Sequence, residues 1–297
     1  MLTDPGYKKL KALISMVDEP DEKVYQSLKN EVLMFEEDAV PVLEDAWMAA
    51  TDLLVANRLE ELLEEVSFKI IHNRLAEWVT EHTGDLSRAV MLINRFGVKD
   101  LDKSKYQDKL ELLLKDAWLE INENLTALEK TKVLNHIFFQ VHQFNKKPDN
   151  SELVQDFFLS NLFDLKEGNP TIMGLLYLLT AQHLKLPVYG VNLPGHLILA
   201  FLDDRHNLKK HQHYTRDDIL FYINPFNGGA VFTDNEIDLY IKQVKLPYKE
   251  HYFLPATNKQ IIERYLKELE KAYKRENNQN KCNFTMRLLD LFDENAT

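Results

Sequence analysis

The residues of this chain best suited to chemistry lie in three short segments of its second half. Asn169 precedes Pro170 and Thr171 at the start of a predicted helix, His196 follows a Pro-Gly turn at the start of an apolar strand, and Asn224 ends a later strand. A helix start presents free N–H groups and the positive end of the dipole, so a thiol placed there would have a lowered pKa. A histidine can serve such a nucleophile as base, and an amide oxygen can orient the ring. The three segments could therefore contribute parts of one site.

Each segment also has an ordinary structural interpretation. Asn169 is a good N-cap and Pro170 suits the first helical position, so the segment could be a well-capped core helix. His196 could be a strand-edge histidine with a backbone partner. Asn224 and Asn227 are typical of a polar turn. Taken one at a time, these residues favour the structural interpretations.

The nucleophile that such a site needs is missing from the helix start. The single cysteine, Cys282, lies in a predicted C-terminal helical hairpin, and nothing in the sequence brings it to His196. We expect it to be a half-buried residue of a helix pair. Thr171 offers a hydroxyl, but this group needs a positioned base and could equally point to solvent or bond locally. We therefore do not expect Thr171 to be a nucleophile.

Three motifs, "GNPTIMGLLY", "LKLPVYGVNLPGHLIL" and "NPFNGG", follow one another between residues 168 and 229. In order and spacing they resemble the SirB1-type branch of the transglutaminase-like superfamily. The resemblance is strong over residues 130–235 and weaker over the N-terminal half. The C-terminal hairpin is similar to the TPR-like tail of that family. The resemblance implies a transglutaminase-like core, in which a helix packs on a small antiparallel sheet.

The resemblance also implies roles for individual residues. His196 takes the place of the triad histidine, and Asn224 stands where the family usually has aspartate. The nucleophile would fall in the first helical turn, where the branch tends to have serine at the position of Ile172. An isoleucine cannot react, so the resemblance implies a vestigial catalytic site, around which Asn169, Ile172 and Asn227 would form a binding surface.

The first half of the chain has the hydrophobic periodicity of helices. In "RLEELLEEVSFKI" the apolar residues recur at the i, i+3, i+4, i+7 spacing of one helix face. Breaks are predicted at residues 18–22, 82–86 and 96–105, where turn-forming residues cluster. We therefore predict a helical domain over residues 1–145.

Strand patterns begin after this half and are followed by helices again. Four segments read as strands in an antiparallel meander, because they follow one another closely: residues 187–192, 196–202, 219–224 and 228–233. We predict an α+β core over residues 146–254 and a helical hairpin over residues 255–297.

Composition excludes several classes of function. The net charge of −11 disfavours nucleic acid as a partner. No apolar run reaches the roughly 18 residues needed to cross a bilayer, so we expect no membrane partner. The first residues lack the apolar region of a signal peptide, and one cysteine allows no internal disulfide. We expect a protein of the reducing cytoplasm.

A polar loop contains three histidines, His206, His211 and His213, with several aspartates nearby. Their spacing matches no closed zinc pattern, and a solvated loop between two strands explains them better. We therefore expect no metal site and no other cofactor.

The sequence leaves three functions open. The leading hypothesis is a non-catalytic peptide- or protein-binding scaffold that keeps the frame of a cysteine-hydrolase site. The alternative is an amide hydrolase or acyl transferase, in which His196 would activate Thr171 or a water molecule. A third possibility is a structural role, with function on the helical arrays at either end of the chain.

Overall fold

The computed structural model describes residues 4–97, 103–147, 153–203 and 214–293. Within these ranges the chain combines many helices with small sheets, which confirms the predicted α+β class. It divides into two units, Met1–Glu81 and His82–Thr297. No helix within the described ranges is long and apolar enough to cross a bilayer.

The first unit is helical throughout its described part. Its helices are α1 (Asp4–Ile14), α2 (Glu22–Leu33), α3 (Ala39–Ala49) and α4 (Leu53–Glu81), with a 3₁₀ turn at Glu36–Asp38. The break at residues 18–22 is confirmed, because Asp21 caps α2 by accepting the Lys23 N–H at 2.8 Å. The unit has its own apolar core, in which Leu10, Val32 and Leu62 are fully buried.

The second unit contains the remaining helices of the described chain. Before the sheet these are α5 (Leu86–Gly97), α6 (Lys103–Glu120), α7 (Ala127–Asn135), a π-helical turn (His136–Val141), α8 (Leu159–Leu165) and α9 (Pro170–His183). After it come α10 (Asp234–Gln243), α11 (Asn258–Arg275) and α12 (Gln279–Leu289). The break at residues 82–86 and the C-terminal hairpin are therefore confirmed. Of the predicted break at 96–105, residues 98–102 lie outside the described ranges.

Two sheets belong to this unit. A small parallel pair joins β1 (Asn145–Lys146) to β2 (Glu167–Gly168). The main sheet is the predicted antiparallel meander, with β3 (Val188–Leu193), β4 (His196–Leu202), β5 (Ile219–Asn224) and β6 (Ala230–Phe232) in that order.

Helices cover both faces of the main sheet. On one face, a Cβ added at Gly174 of α9 would lie 2.8 Å from the Leu197 side chain of β4, so the two elements pack closely. On the other face, Ile198 and Ala200 of β4 pack in one cluster with Ile237 of α10. Because successive strand residues point to opposite faces, β4 is buried on both sides.

The division into units differs from the three segments that the sequence predicts. The helices after residue 82 belong with the sheet, and side chains on them bond to the core. Asn94 of α5 accepts the Leu159 N–H of α8 at 2.6 Å, and Asn135 of α7 accepts the Tyr177 hydroxyl of α9 at 2.9 Å. Helical periodicity shows where helices form, but it does not show which helices share a core.

Candidate functional site

The N-terminus of α9 has the cap that the sequence predicts. The Asn169 backbone is extended, and its side-chain oxygen accepts the Ile172 N–H at 2.9 Å. Pro170 occupies the first helical position, where a missing N–H costs nothing. The amide nitrogen of Asn169 is buried and has no hydrogen-bond partner among the described residues. The side chain of Ile172, the predicted nucleophile position, is fully buried and faces the core.

The Thr171 hydroxyl donates a hydrogen bond to a carboxylate of another helix. Thr171 is buried, and its hydroxyl bonds to Oε2 of Glu268 in α11. The second oxygen of Glu268 accepts from Nε of Arg264 at 2.9 Å. The hydroxyl at the helix start is therefore held by an Arg-Glu pair and makes no hydrogen bond to His196 in the described structure.

Arg264 also connects this pair to the hairpin that carries the histidine. Its Nη1 atom donates to the carbonyl oxygens of Leu193 at 2.9 Å and of His196 at 3.0 Å. Both carbonyls flank the Pro-Gly turn between β3 and β4. α11 therefore binds the start of α9 and the β3–β4 turn at the same time.

The His196 side chain lies on the face of β4 that α10 covers. Its ring packs edge-on against Tyr240 of α10, with centroids 5.4 Å apart, and the Tyr240 hydroxyl donates to the Pro194 carbonyl at 2.9 Å. The buried Nδ1 atom of the imidazole has no hydrogen-bond partner among the described residues. Burial lowers the pKa of His196, the Arg264 cation lowers it further, and Glu268 opposes them. The net shift is downward, which favours the neutral form of the ring.

Asn224 supports its own turn. Its side-chain oxygen accepts the backbone N–H of Asn227 at 3.2 Å, which caps the 3₁₀ turn Pro225–Asn227. The β4–β5 ladder ends at the pair Leu199–Ile223, so Asn224 lies one step beyond it, toward the His196 end of β4. Within the described residues, however, no hydrogen bond joins Asn224 to the imidazole.

The six predicted site residues thus fall into separate local arrangements. Asn169, Thr171 and Ile172 lie at the start of α9, which packs against the Leu197 face of β4. His196 lies on the opposite face, and Asn224 with Asn227 forms the turn after β5. The Thr-His hydrogen bond that the enzymatic alternative requires is absent between the described positions of these residues.

Sequence reasoning missed Arg264 and Glu268, which connect these arrangements. The two residues are four apart, a spacing typical of exposed helical ion pairs. In the structure both are largely buried, with side chains 14% and 26% exposed. The sequence feature that could have indicated these two residues is a charged pair beside the apolar stripe of α11. The pattern does not show which groups such a pair contacts.

A second network joins two of the quoted motifs through α7. The Tyr177 hydroxyl donates to Oδ1 of Asn135 at 2.9 Å, and Nδ2 of Asn135 donates to the Gly229 carbonyl at 2.8 Å. Gly229 has a φ of +71°, and a Cβ there would lie 1.9 Å from Oδ1 of Asn135. Asn135 therefore ties the turn after β5 to α9.

The remaining candidates lie elsewhere in the chain. His206, His211 and His213 fall within residues 204–213, outside the described ranges. Cys282 is buried in α12, more deeply than the half-buried position expected for it. Its thiol contacts Glu270 of α11, and burial raises the pKa of the thiol.

Comparison with known proteins identifies the family. The family model described as "Transglutaminase-like superfamily" matches residues 104–267, which run from α6 into α11. A UPF0162 protein of Xylella fastidiosa (strain Temecula1) is 25% identical over 165 residues, 56% of this chain and 54% of that protein. The UPF0162 protein YchA of Escherichia coli (strain K12) is 25% identical over 182 residues, 60% of this chain and 63% of that protein. This chain therefore spans a little over half the length of these relatives.

No solved structure matches. Since the family model covers more than half of its 297 residues, the chain belongs to the transglutaminase-like superfamily.

Proposed function

We propose that this protein is a non-catalytic, SirB1-type member of the superfamily that binds a peptide or protein partner. The binding surface would lie around the start of α9, His196 and the turn at Asn224. Assignment to the SirB1-type branch is supported by the three motifs "GNPTIMGLLY", "LKLPVYGVNLPGHLIL" and "NPFNGG". No cofactor is needed for this role.

One observation carries the non-catalytic part of the proposal: the Thr171 hydroxyl donates to Glu268 and not to His196. In the described structure the hydroxyl proton is directed to the Glu268 carboxylate, so the imidazole has no direct hydrogen bond through which to take it as a general base. Two further observations agree with it. Ile172, the predicted nucleophile position, is buried, and the Asn224 oxygen caps a turn.

The catalytic part is tested by assaying acyl transfer. Wild-type protein is incubated with chromogenic acyl esters and with glutamine-containing peptides plus a primary amine. We expect no turnover that depends on His196. The enzymatic alternative would be established if the wild type shows turnover, His196→Ala and Thr171→Val both abolish it, and Thr180→Val retains it.

The binding part is tested with a phage-displayed peptide library selected on the wild-type protein. Selected peptides should lose affinity for His196→Ala and retain it for His183→Ala, which removes an exposed histidine from the last turn of α9. Asn224→Asp keeps the oxygen that caps the turn but adds a charge, so it should change affinity without unfolding the site. If the selected peptides bind the wild-type protein and all three variants with equal affinity, the binding surface lies elsewhere.

A further inference from the structure

A cleft of about 730 Å³ lies at the opposite end of α9 from Thr171. Its walls are the last turn of α9, the start of β3 and the segment that leads into α11. α9 has 14 residues, so its two ends are roughly 21 Å apart at 1.5 Å per residue. The cleft is therefore separate from the candidate site, and a ligand bound in it would be independent of the proposed function.

The walls of the cleft are held together by hydrogen bonds. Asn258, the first residue of α11, accepts from Gln182 of α9 at 2.9 Å and donates to the Thr83 carbonyl at 3.0 Å. The Ala256 N–H donates to the carbonyl of Gly190 in β3 at 2.7 Å. These bonds fix the walls in place, and a preformed cavity of this volume is typical of small-molecule sites.

The surface of the cleft combines apolar and aromatic groups. Pro187 and Pro255 contribute rigid apolar surface, and the rings of Tyr189 and Tyr214 pack with centroids 5.4 Å apart. Burial and the interaction with Tyr214 raise the pKa of Tyr189 to about 12, so its phenol stays protonated and neutral. Such a surface suits a ligand with an apolar or aromatic body.

The described lining of the cleft carries a positive charge, although the chain has a net charge of −11. Among the described residues that line it, Lys185 is the charged one, and no carboxylate lines it. The Lys185 side chain is exposed and makes no ion pair within the described parts of the chain. A single lysine suits a monoanion, since a phosphate dianion is typically bound by several cations or a bidentate arginine.

We propose that this cleft binds a small amphipathic carboxylate, with its apolar body against Tyr189 and Tyr214 and its carboxylate at Lys185. Two sources share this chemistry: a free organic acid, and the C-terminal residue of a peptide with an aromatic or large aliphatic side chain.

The test uses the full chain and four probes. 3-Phenylpropionate represents free acids and acetyl-glycyl-glycyl-phenylalanine represents peptide C-termini, and the amide of each is its uncharged match. Binding is measured by calorimetry and by saturation-transfer NMR. At least one carboxylate should bind in the millimolar range or tighter, and its amide should bind about tenfold more weakly. Which carboxylate binds tighter identifies the source.

The chain offers a matched control for the lysine. Lys185 and Lys245 each follow the end of a helix, and each has a left-handed backbone conformation, with φ of 56° and 55°. Both side chains are exposed, but Lys245 does not line the cleft. Lys185→Gln should weaken carboxylate binding about tenfold, and Lys245→Gln should leave it unchanged. The proposal would be overturned if neither carboxylate binds, or if each amide binds as tightly as its carboxylate. It would also be overturned if the two substitutions have equal effects on carboxylate binding. Melting temperatures verify that both variants are folded.

Discussion

Thr171 and Glu268 are hydrogen-bonded across the interface between α9 and α11, with the threonine hydroxyl as donor. The bond is buried at the threonine, and within the described structure the hydroxyl makes no hydrogen bond to His196. The carboxylate is in turn paired with Arg264, whose guanidinium reaches the β3–β4 turn. Thr171, which stands beside the predicted nucleophile position at Ile172, is here part of a structural network.

Thr171→Val should destabilise the fold, because it leaves Oε2 of the partly buried Glu268 without its donor. We expect a loss of about 1–2 kcal/mol in the free energy of unfolding, measured by urea denaturation. Thr180→Val is the matched control on the same helix, since the fully buried Thr180 hydroxyl only donates to the Leu176 carbonyl at 2.9 Å. That variant should change the free energy by less than Thr171→Val. Equal losses would mean that the bond to Glu268 contributes nothing specific.

The two charges beside His196 should move its pKa in opposite directions. Arg264 lowers the pKa of His196 and Glu268 raises it, while burial is the largest cause of its lowered value. Arg264→Met should therefore raise the pKa, and Glu268→Gln should lower it further. Both are measured by NMR titration of the imidazole. A pKa shift of the same sign in both variants would contradict the placement of Arg264 and Glu268 beside the imidazole.

Stability should depend on pH through His196. Because the pKa of His196 is lower in the folded than in the unfolded state, the unfolded chain binds more protons at mildly acidic pH. The contribution of the neutral ring to stability is fully present above the unfolded pKa of about 6.5 and is lost as pH falls through the folded pKa. His196→Gln should flatten this decline in denaturation curves taken between about pH 5 and 7.5, a window that reaches further below 6.5 than above it because the folded pKa is the lower one. An unchanged slope would show that other groups cause the decline.

The two glycines of the turn after β5 should differ in their tolerance of a side chain. Gly228 and Gly229 both have positive φ, but a Cβ at Gly228 meets open space, whereas one at Gly229 would collide with Asn135. Gly228→Ala should cost about 1–2 kcal/mol of the free energy of unfolding, the cost of the left-handed backbone alone. Gly229→Ala should cost about 1–3 kcal/mol more, because Asn135 must move. Equal costs in thermal or urea unfolding would refute the contact with Asn135.

Local sequence patterns predicted much of the fold. The strands at 196–202 and 219–224 match β4 and β5 residue for residue, because alternation and turn residues mark both ends. The cap at Asn169 was predictable because capping depends on residues within one turn. α10 was not predicted, although it supplies the cover for His196. It is a short segment between a strand and a polar stretch, where periodicity alone gives a weak signal.

The candidate site was predictable only as a set of residues. Alternation along β4 correctly groups His196 with Ile198, but it does not say which helix covers that face. Assigning α10 to this face and α9 to the other requires long-range packing. For the same reason the sequence could not show that Glu268, nearly a hundred residues from Thr171, accepts its hydroxyl.

The bridge from Asn135 to Tyr177 and Gly229 has a practical consequence for expressing the sheet-containing core alone. A fragment starting at residue 146, where the strand-rich sequence begins, would leave the Tyr177 phenol in an apolar interior with its acceptor deleted and the Gly229 carbonyl without its donor. Fragments intended for crystallisation or NMR should instead begin at the unit boundary, His82, so that α5 to α7 are retained.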